Sequence, residues 1–385
     1  MKGYEISNIK ISGFRRLHSI DLPVKPFTVL IGANGVGKTS ILDALSLLSA
    51  SASSNLNSTL SIWGGANNLL TRGKAQDLSF IVEMNVPPPY KPLKYELMIT
   101  PIASGYTISN ENLSQDISGY ETPFVHISSK HGDIRYFNEN EKKLIHSNWE
   151  HNLLETSLSQ VPKMFRQPEE LRQILTTAKQ YHVLDISSRA PIKMPQVMKP
   201  ANLPGVDGED LVPYLYNLRE NDPNMFETII DTLRAAFPDF DTLTFPPVAA
   251  GMLSMGWKDK NYTNHIYIHE LSEGILRFIW LLALLYSSSL STITMIDEPE
   301  VSLHPEMLKI LIEVMREASN HTQLIIATHS DRLVDFLEPG DVVVMDIDDE
   351  GFSTATWADT MDLEAWLDEY NLGDVWHMGR MGGQA

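Results

Sequence analysis

Apolar and polar positions alternate in short runs over residues 3–31, in "YEISNIKISGF", "SIDL" and "FTVLIG", and this period of two predicts two or three strands. From about Lys38 to Ala50 the apolar positions fall at helical spacing, and the polar stretch "SASSNLNST" then reads as a loop. Strand-like alternation returns in "LSFIVEMNV", "LKYELMIT", "GYTISNENL", "FVHISS" and "DIRYFNE", a meander of antiparallel strands with the Pro-Pro-Pro at 87–89 closing one hairpin. From about Leu153 the period lengthens, predicting helices in "PEELRQILTTAKQY", "GEDLVPYLYNLRE" and "PNMFETIIDTLRAAF". Strands are expected again from about Phe240 to Ile268 and a long helix after Gly274. Then come a buried strand in "TITMIDEP", a helix in "PEMLKILIEVMREAS", a strand in "QLIIATHS", and a final helix near Leu363 to Tyr370. No internal repeat and no long heptad run is visible.

Strands alternating with helices at both ends, around a β-rich and then helical middle, predict one α/β domain assembled from both termini. The expected divisions are residues 1–150, with a phosphate loop and the β-meander, an inserted helical lobe at 151–239, a second α/β lobe at 240–345, and an acidic segment at 346–385.

Three stretches carry chemistry. "GANGVGKT", Gly32 to Thr39, satisfies G-x-x-x-x-G-K-[ST] between an apolar strand and an amphipathic helix, the context that loop needs. Its backbone N–H groups can cradle phosphates, helped by the positive end of the helix. The predicted phosphate-binding set is Gly32, Asn34, Gly35, Gly37, Lys38, Thr39 and Ser40, with Lys38 at the β- and γ-phosphates and the Thr39 hydroxyl on Mg2+. "ITMIDEPE" ends an apolar strand in acids, where Asp297 would hold Mg2+ and Glu298 would polarise the attacking water as general base. An acidic helix-start cluster is the competing reading, since Pro299 and His304-Pro305 also mark a turn. "QLIIATHS" is a second buried strand, and His329 at its end could hydrogen-bond a γ-phosphate, although a lone histidine is more often structural.

Composition narrows this picture. The chain has 385 residues, is 43% hydrophobic and 21% charged, and contains no cysteine, which excludes disulfides, iron–sulfur clusters and thiolate zinc sites. The start lacks the layout of a secretory signal. The most apolar stretch, "FIWLLALLY", is far short of the ~20 residues a membrane span needs, so a cytoplasmic protein with a buried helix there is expected. A net charge of −19 argues against indiscriminate nucleic-acid binding. Much of that charge lies beyond Asp346, leaving room for a local basic groove elsewhere, though "KYELM", "ENEKKLIH" and "KHGDIR" are sparse.

"GANGVGKT", "LSEG" (Leu271 to Gly274), "MIDEPEVSLHP" and "ATHS" follow one another in the order of an ABC-type ATPase. The chain resembles the SMC/RecF-like branch of P-loop NTPases over nearly its whole length. It is closest to the stand-alone predicted ATPases found in bacterial anti-phage defence systems, which share an ending like "YNLGDVWHMGRMGG". The resemblance implies an ABC-type head with a mixed sheet, an antiparallel β-subdomain and an inserted helical lobe. It also implies ATP and Mg2+ as cofactors, hydrolysis of ATP, and two ATP molecules sandwiched in a head-to-tail homodimer or higher homo-oligomer. Ser272 and Gly274 would then close on the γ-phosphate held by the partner, whereas Ser272 alone would read as a plain helix N-cap. The family's Mg2+-sensing glutamine is assigned to Gln160, with Gln76 and Gln115 competing, and Arg15 resembles a family arginine that approaches the nucleotide. "EVSLHP" would place Ser302 and His304 at the dimer axis.

Several roles fit such an ATPase unequally. Transport lacks a membrane span, and an SMC-type tether would need coiled-coil arms where strands and short helices are expected. An overcoming-lysogenization-defect nuclease would need a metal-binding Toprim domain, whereas Asp346 and Asp348 read as a hairpin turn. The favoured expectation is a sensor or regulator of a separately encoded effector in anti-phage defence. The alternative is a RecF-like repair ATPase whose dimer closes on duplex DNA.

Overall fold

Residues 3–117, 122–138, 141–147 and 149–382 are described by the computed structural model of the chain. The last residue of the expected strand "DIRYFNE" and the first two of "ENEKKLIH" lie outside them.

Two sheets organise the chain. The first has eight antiparallel strands in the spatial order Leu17–Pro23, Glu5–Phe14, Leu78–Asn85, Leu93–Ile102, Gly105–Gln115, Phe124–Lys130, Asp133–Asn138, Lys143–His146. Apart from Glu5–Phe14 beside Leu78–Asn85, neighbours in space are neighbours in sequence, so each hairpin sets the register of the next, and alternating residues such as Phe80, Val82 and Met84 fill one face.

The second sheet has six strands, ordered Lys179–Tyr181, Ile293–Asp297, Gln323–Ala327, Phe27–Ile31, Val342–Ile347, Ser353–Trp357, all parallel except the last pair. Strands covered on both faces should be apolar throughout, and Phe27–Ile31 is buried at every residue. Its alternate side chains serve two cores. Val29 and Ile31 join the buried helix Glu273–Leu285 and its neighbours, and Leu30 joins the first sheet and the helix Lys38–Ala52. That helix lies between the sheets, with Ile41, Leu42, Leu45 and Leu48 all within one core.

"FIWLLALLY" is the body of the helix Glu273–Leu285, buried from Leu276 to Leu285. Among the described residues no helix is long and apolar enough to cross a membrane. The middle region contains Arg166–Thr177, Leu211–Asn221 and Pro223–Ala236, the last started by Pro223 and capped by Asp222, which accepts from the Met225 N–H at 3.2 Å.

Two expected divisions cut across this architecture. The helical lobe also supplies Lys179–Tyr181, the edge strand of the central sheet, where sequence periodicity alone extends a helix to Tyr181. The boundary at 345/346 falls inside Val342–Ile347, so the acidic segment begins within the central sheet, and Asp348 closes the hairpin by accepting from and donating to the 350–352 backbone.

Candidate nucleotide site

The parallel register lines up Asp297, Ala327 and Leu30 at one edge of the sheet, with the residues after each strand projecting beyond it. This is the carboxyl edge, where open α/β sheets bind ligands. Beyond Ile31 the chain turns through Gly32–Gly37 into the helix Lys38–Ala52. A Cβ on Gly32, whose φ is +146°, would stand 2.3 Å from the Met345 carbonyl oxygen, so the turn leaves its strand where only glycine fits. Val36 is buried and pins the loop, whereas Asn34, Gly35 and Thr39 are exposed and Ser40 is half-buried. Lys38 folds back over the loop, donating to the carbonyls of Gly32 at 2.6 Å and Ala33 at 2.9 Å. Burial pushes its ammonium below the usual lysine range, and attraction to Asp297, Glu298 and Glu300 opposes that.

Thr39 hydrogen-bonds the Asp297 carboxyl, which burial nevertheless holds above the ordinary aspartate range. Glu298 adopts a left-handed backbone, φ +52°, and its N–H donates to the Ala327 carbonyl at 2.8 Å, extending the parallel ladder by one residue. Such strain in a non-glycine residue is characteristic of functional sites. Its Oε1 lies 3.3 Å from His329 Nδ1, so the predicted base and the predicted phosphate-contacting histidine face each other.

Sequence reasoning missed a third acid. The Glu300 side chain is largely buried, accepts from Thr328 Oγ1 at 2.6 Å and the His329 N–H at 3.4 Å, and burial raises its carboxyl above the ordinary range. Among the described residues its Oε2 has no partner. It was visible in "DEPE", but sequence spacing cannot show that it turns back under the neighbouring strand. His182 was missed as well. It follows the strand Lys179–Tyr181, whose Tyr181 pairs with Ile296, and it acts electrostatically on Asp297 beside it.

The placement of Gln160 does not meet its expected role as a metal residue. Its amide closes a local turn, accepting from the Asn152 N–H and donating to carbonyls of residues 152, 155 and 156. Thr156, which caps that short helix, donates to the Ser51 carbonyl near the end of Lys38–Ala52. At 1.5 Å per residue, that is about 18 Å along the helix from Thr39. Arg15 is paired with Asp43 on the same helix and lies over the rings of Phe14 and Trp63, at 5.3 and 5.5 Å.

In "LSEG", Ser272 caps the helix Glu273–Leu285, accepting from the Ile275 N–H at 3.4 Å. A Cβ on Gly274 would stand 2.4 Å from the Ser302 carbonyl oxygen. The glycine therefore lets this helix abut the loop after Glu300. Arg277 fastens the same contact, donating to the carbonyls of Val301 and Leu184 at 3.2 Å each and pairing with Glu273 at 2.6 Å. His304 caps the next helix and is exposed.

Three carboxylates acting on one buried lysine, beside a glycine-rich loop that leads into a helix start, fit a phosphate chain with a divalent cation. Among the described residues no cluster of three or more His, Asp or Glu is arranged to hold a metal by itself, and a cation shared with phosphate oxygens needs none.

The fold is that of a P-loop NTPase domain of the ABC and SMC-head kind. Residues 27–335 match the family described as "AAA domain, putative AbiEii toxin, Type IV TA system", and the chain belongs to that family. It is similar in fold to an SMC head bound to the C-terminal winged-helix domain of ScpA, at TM-score 0.57 and 12% identity over 94% of this chain and 99% of that one. A Pyrococcus furiosus Smc head with an extended coiled coil, bound to the C-terminal domain of ScpA, gives 0.55 and 13% over 95% and 98%. An OLD nuclease of Thermus scotoductus is 44% identical over 43 residues, which is 11% of this chain and 8% of that protein.

Proposed function

We propose that the chain binds and hydrolyses ATP with Mg2+, and that nucleotide-driven head-to-tail pairing of two copies switches a separately encoded effector. The carrying observation is the convergence of Lys38, Thr39, Asp297, Glu298 and His329 on one sheet edge, with Glu298 and His329 3.3 Å apart. Lys38 exchanges its two loop carbonyls for phosphate oxygens. Thr39 and Asp297 would hold Mg2+, which would supply charge neutralisation at the phosphates. Glu298 takes the proton of the water as its oxygen bonds the terminal phosphorus and the bond from that phosphorus to the ADP oxygen breaks, releasing ADP, while His329 Nδ1, facing the same carboxylate, fixes its orientation.

Ser272, Gly274 and the free N–H groups of their helix supply an anion site for the opposite copy. A cytoplasmic role in anti-phage defence is the reading we favour. The family's description as part of a toxin–antitoxin system, and the winged-helix partner of the SMC head, support a chain that works with a second protein.

Glu298→Gln should retain ATP and lose turnover by about 100-fold or more, since general-base removal typically costs that much. In light scattering with ATP and Mg2+ it should run as a stable dimer, and Lys38→Ala should stay monomeric. A Glu298→Gln protein that binds ATP yet remains monomeric would overturn the pairing. Turnover measured with linear duplex DNA separates the roles, because clear stimulation would favour the repair reading.

A further inference from the structure

Glu298 and Glu300 stand two residues apart in "DEPE" and meet solvent differently. The Glu298 side chain is 37% exposed and can meet an attacking water, whereas that of Glu300 is 9% exposed. What Glu300 does therefore follows from what it holds.

It holds the end of the neighbouring strand Gln323–Ala327. Its Oε1 accepts from Thr328 Oγ1 at 2.6 Å and from the His329 N–H at 3.4 Å, and stands 4.0 Å from His329 Nδ1. Thr328 is fully buried, and its hydroxyl is committed in both senses, donating to Glu300 and accepting from the Ser330 N–H at 3.1 Å. Its own N–H donates to the Leu30 carbonyl at 3.0 Å, in the strand that feeds the phosphate loop. The backbone on both sides of His329 is thereby fixed, with the imidazole Nδ1 3.3 Å from Glu298 Oε1.

The turn that carries Glu298 is held by the same strand end. The Glu298 N–H donates to the Ala327 carbonyl at 2.8 Å, so residues 298–300 are tied twice, by backbone before Pro299 and by a side chain after it. Between these ties Glu298 keeps its left-handed backbone, φ +52°, which a non-glycine residue holds only where its surroundings over-determine it. Burial penalises a charge on Glu300, and an amide oxygen offers the same acceptor without that charge. Glu300 also attracts the Lys38 ammonium, less than Asp297 and Glu298 do, so phosphate binding is the competing role.

We propose that Glu300 is a positioning residue for hydrolysis: through Thr328 and the His329 backbone it sets His329 against Glu298, and so aims the base without touching the nucleotide. The role rests on the hydrolysis of ATP at this edge.

The test uses full-length protein with Glu300→Ala, Glu300→Gln and Thr328→Val, reading ATP affinity by calorimetry and hydrolysis in single turnover. Misplacing a catalytic group by about 1 Å can cost ~100-fold, so Glu300→Ala should slow hydrolysis at least about tenfold while the ATP Kd stays within about threefold of the parent. Thr328→Val, which keeps the shape and loses the donor, should do the same. Glu300→Gln, which keeps the acceptor, should be at least about fivefold faster than Glu300→Ala. In the Glu300→Ala background, His329→Ala should add less than about threefold, because both act through one contact. Amide hydrogen exchange over residues 323–330 of the nucleotide-free protein gives a reading that needs no turnover. Glu300→Ala and Thr328→Val should speed it, and Glu300→Gln should not. Where Glu300→Ala melts well below the parent, Glu300→Gln against Thr328→Val carries the comparison.

Hydrolysis by Glu300→Ala at the parent's rate overturns the proposal, as does unchanged exchange. Glu300→Gln as slow as Glu300→Ala, or a loss of ATP affinity equal to the loss of rate, also overturns it and assigns Glu300 to the charge on Lys38. A parent that neither binds nor hydrolyses ATP overturns the nucleotide reading and this role with it, an outcome told apart from the others by the parent alone.

Discussion

At the scale of single residues, the nucleotide edge is built against stability. Burial holds the Asp297 carboxyl above the value it has in an unfolded chain, so folding favours its protonated form. The contribution is therefore fully favourable below the ordinary aspartate value and is lost as pH rises through the raised folded value. At pH 7 the nucleotide-free protein carries that cost. Asp297→Asn should raise the melting temperature of the nucleotide-free protein at pH 7, and the gain should shrink as pH falls toward 4. The variant should also lose the extra stabilisation that Mg2+ adds to bound ATP. Thermal melts at the two pH values with and without MgATP check this, and an unchanged or lower melting temperature at pH 7 would contradict it. Gly32, Lys38, Thr39, Asp297, Glu298 and His329 were legible because each sits at the end of an apolar strand or in a loop whose spacing is itself the signal. Glu300 was not, because its role rests on a bond to Thr328, 28 residues away.

At the scale of elements, the helix Glu273–Leu285 is pressed against the loop that follows Glu300. Gly274 permits the approach and Arg277 secures it. Gly274→Ala would force the Ser302 carbonyl away from a Cβ 2.4 Å off, displacing helix start and loop together. We expect nucleotide binding by the monomer to change by less than about threefold, because the phosphate loop is untouched, while ATP-dependent pairing weakens by at least about tenfold. Nucleotide titration beside concentration-dependent light scattering separates the two, and equal losses in both would contradict the assignment. The sequence read "LSEG" as either a helix cap or a phosphate contact. The fold makes Ser272 a cap in the single chain. The edge strand Lys179–Tyr181 was illegible for a different reason. Three residues carry too little periodicity to break a helix pattern, and only pairing with Ile293–Asp297 turns them into strand and sets His182 beside Asp297.

At the scale of the whole molecule, the helix Lys38–Ala52 joins the two sheets. Its apolar side chains share a core with Ile9 and Phe80 of the antiparallel sheet and with Leu30 and Met295 of the central one. The sheets should therefore unfold together. Leu45→Ala, at a site 1% exposed, should cost about 2–5 kcal/mol and lower a single calorimetric transition without splitting it. Two separated transitions would show that the lobes are held independently. The same helix carries Lys38 and Thr39 at its start, so the phosphate grip and the joint between sheets are one element.

By itself the sequence determined the strands, most of the helices and the phosphate loop, because period-two and period-3.6 patterns and glycine spacing are local properties of the chain. It also determined which strand ends carry acids and a histidine. Tertiary structure alone decided which ends lie side by side. It set Glu298 against His329, turned Glu300 under Thr328, put His182 beside Asp297, and left Gln160 at the far end of the phosphate-loop helix. These are contacts between residues tens to hundreds of positions apart. They are fixed by parallel registers and by a helix shared between two sheets, and no local pattern encodes them.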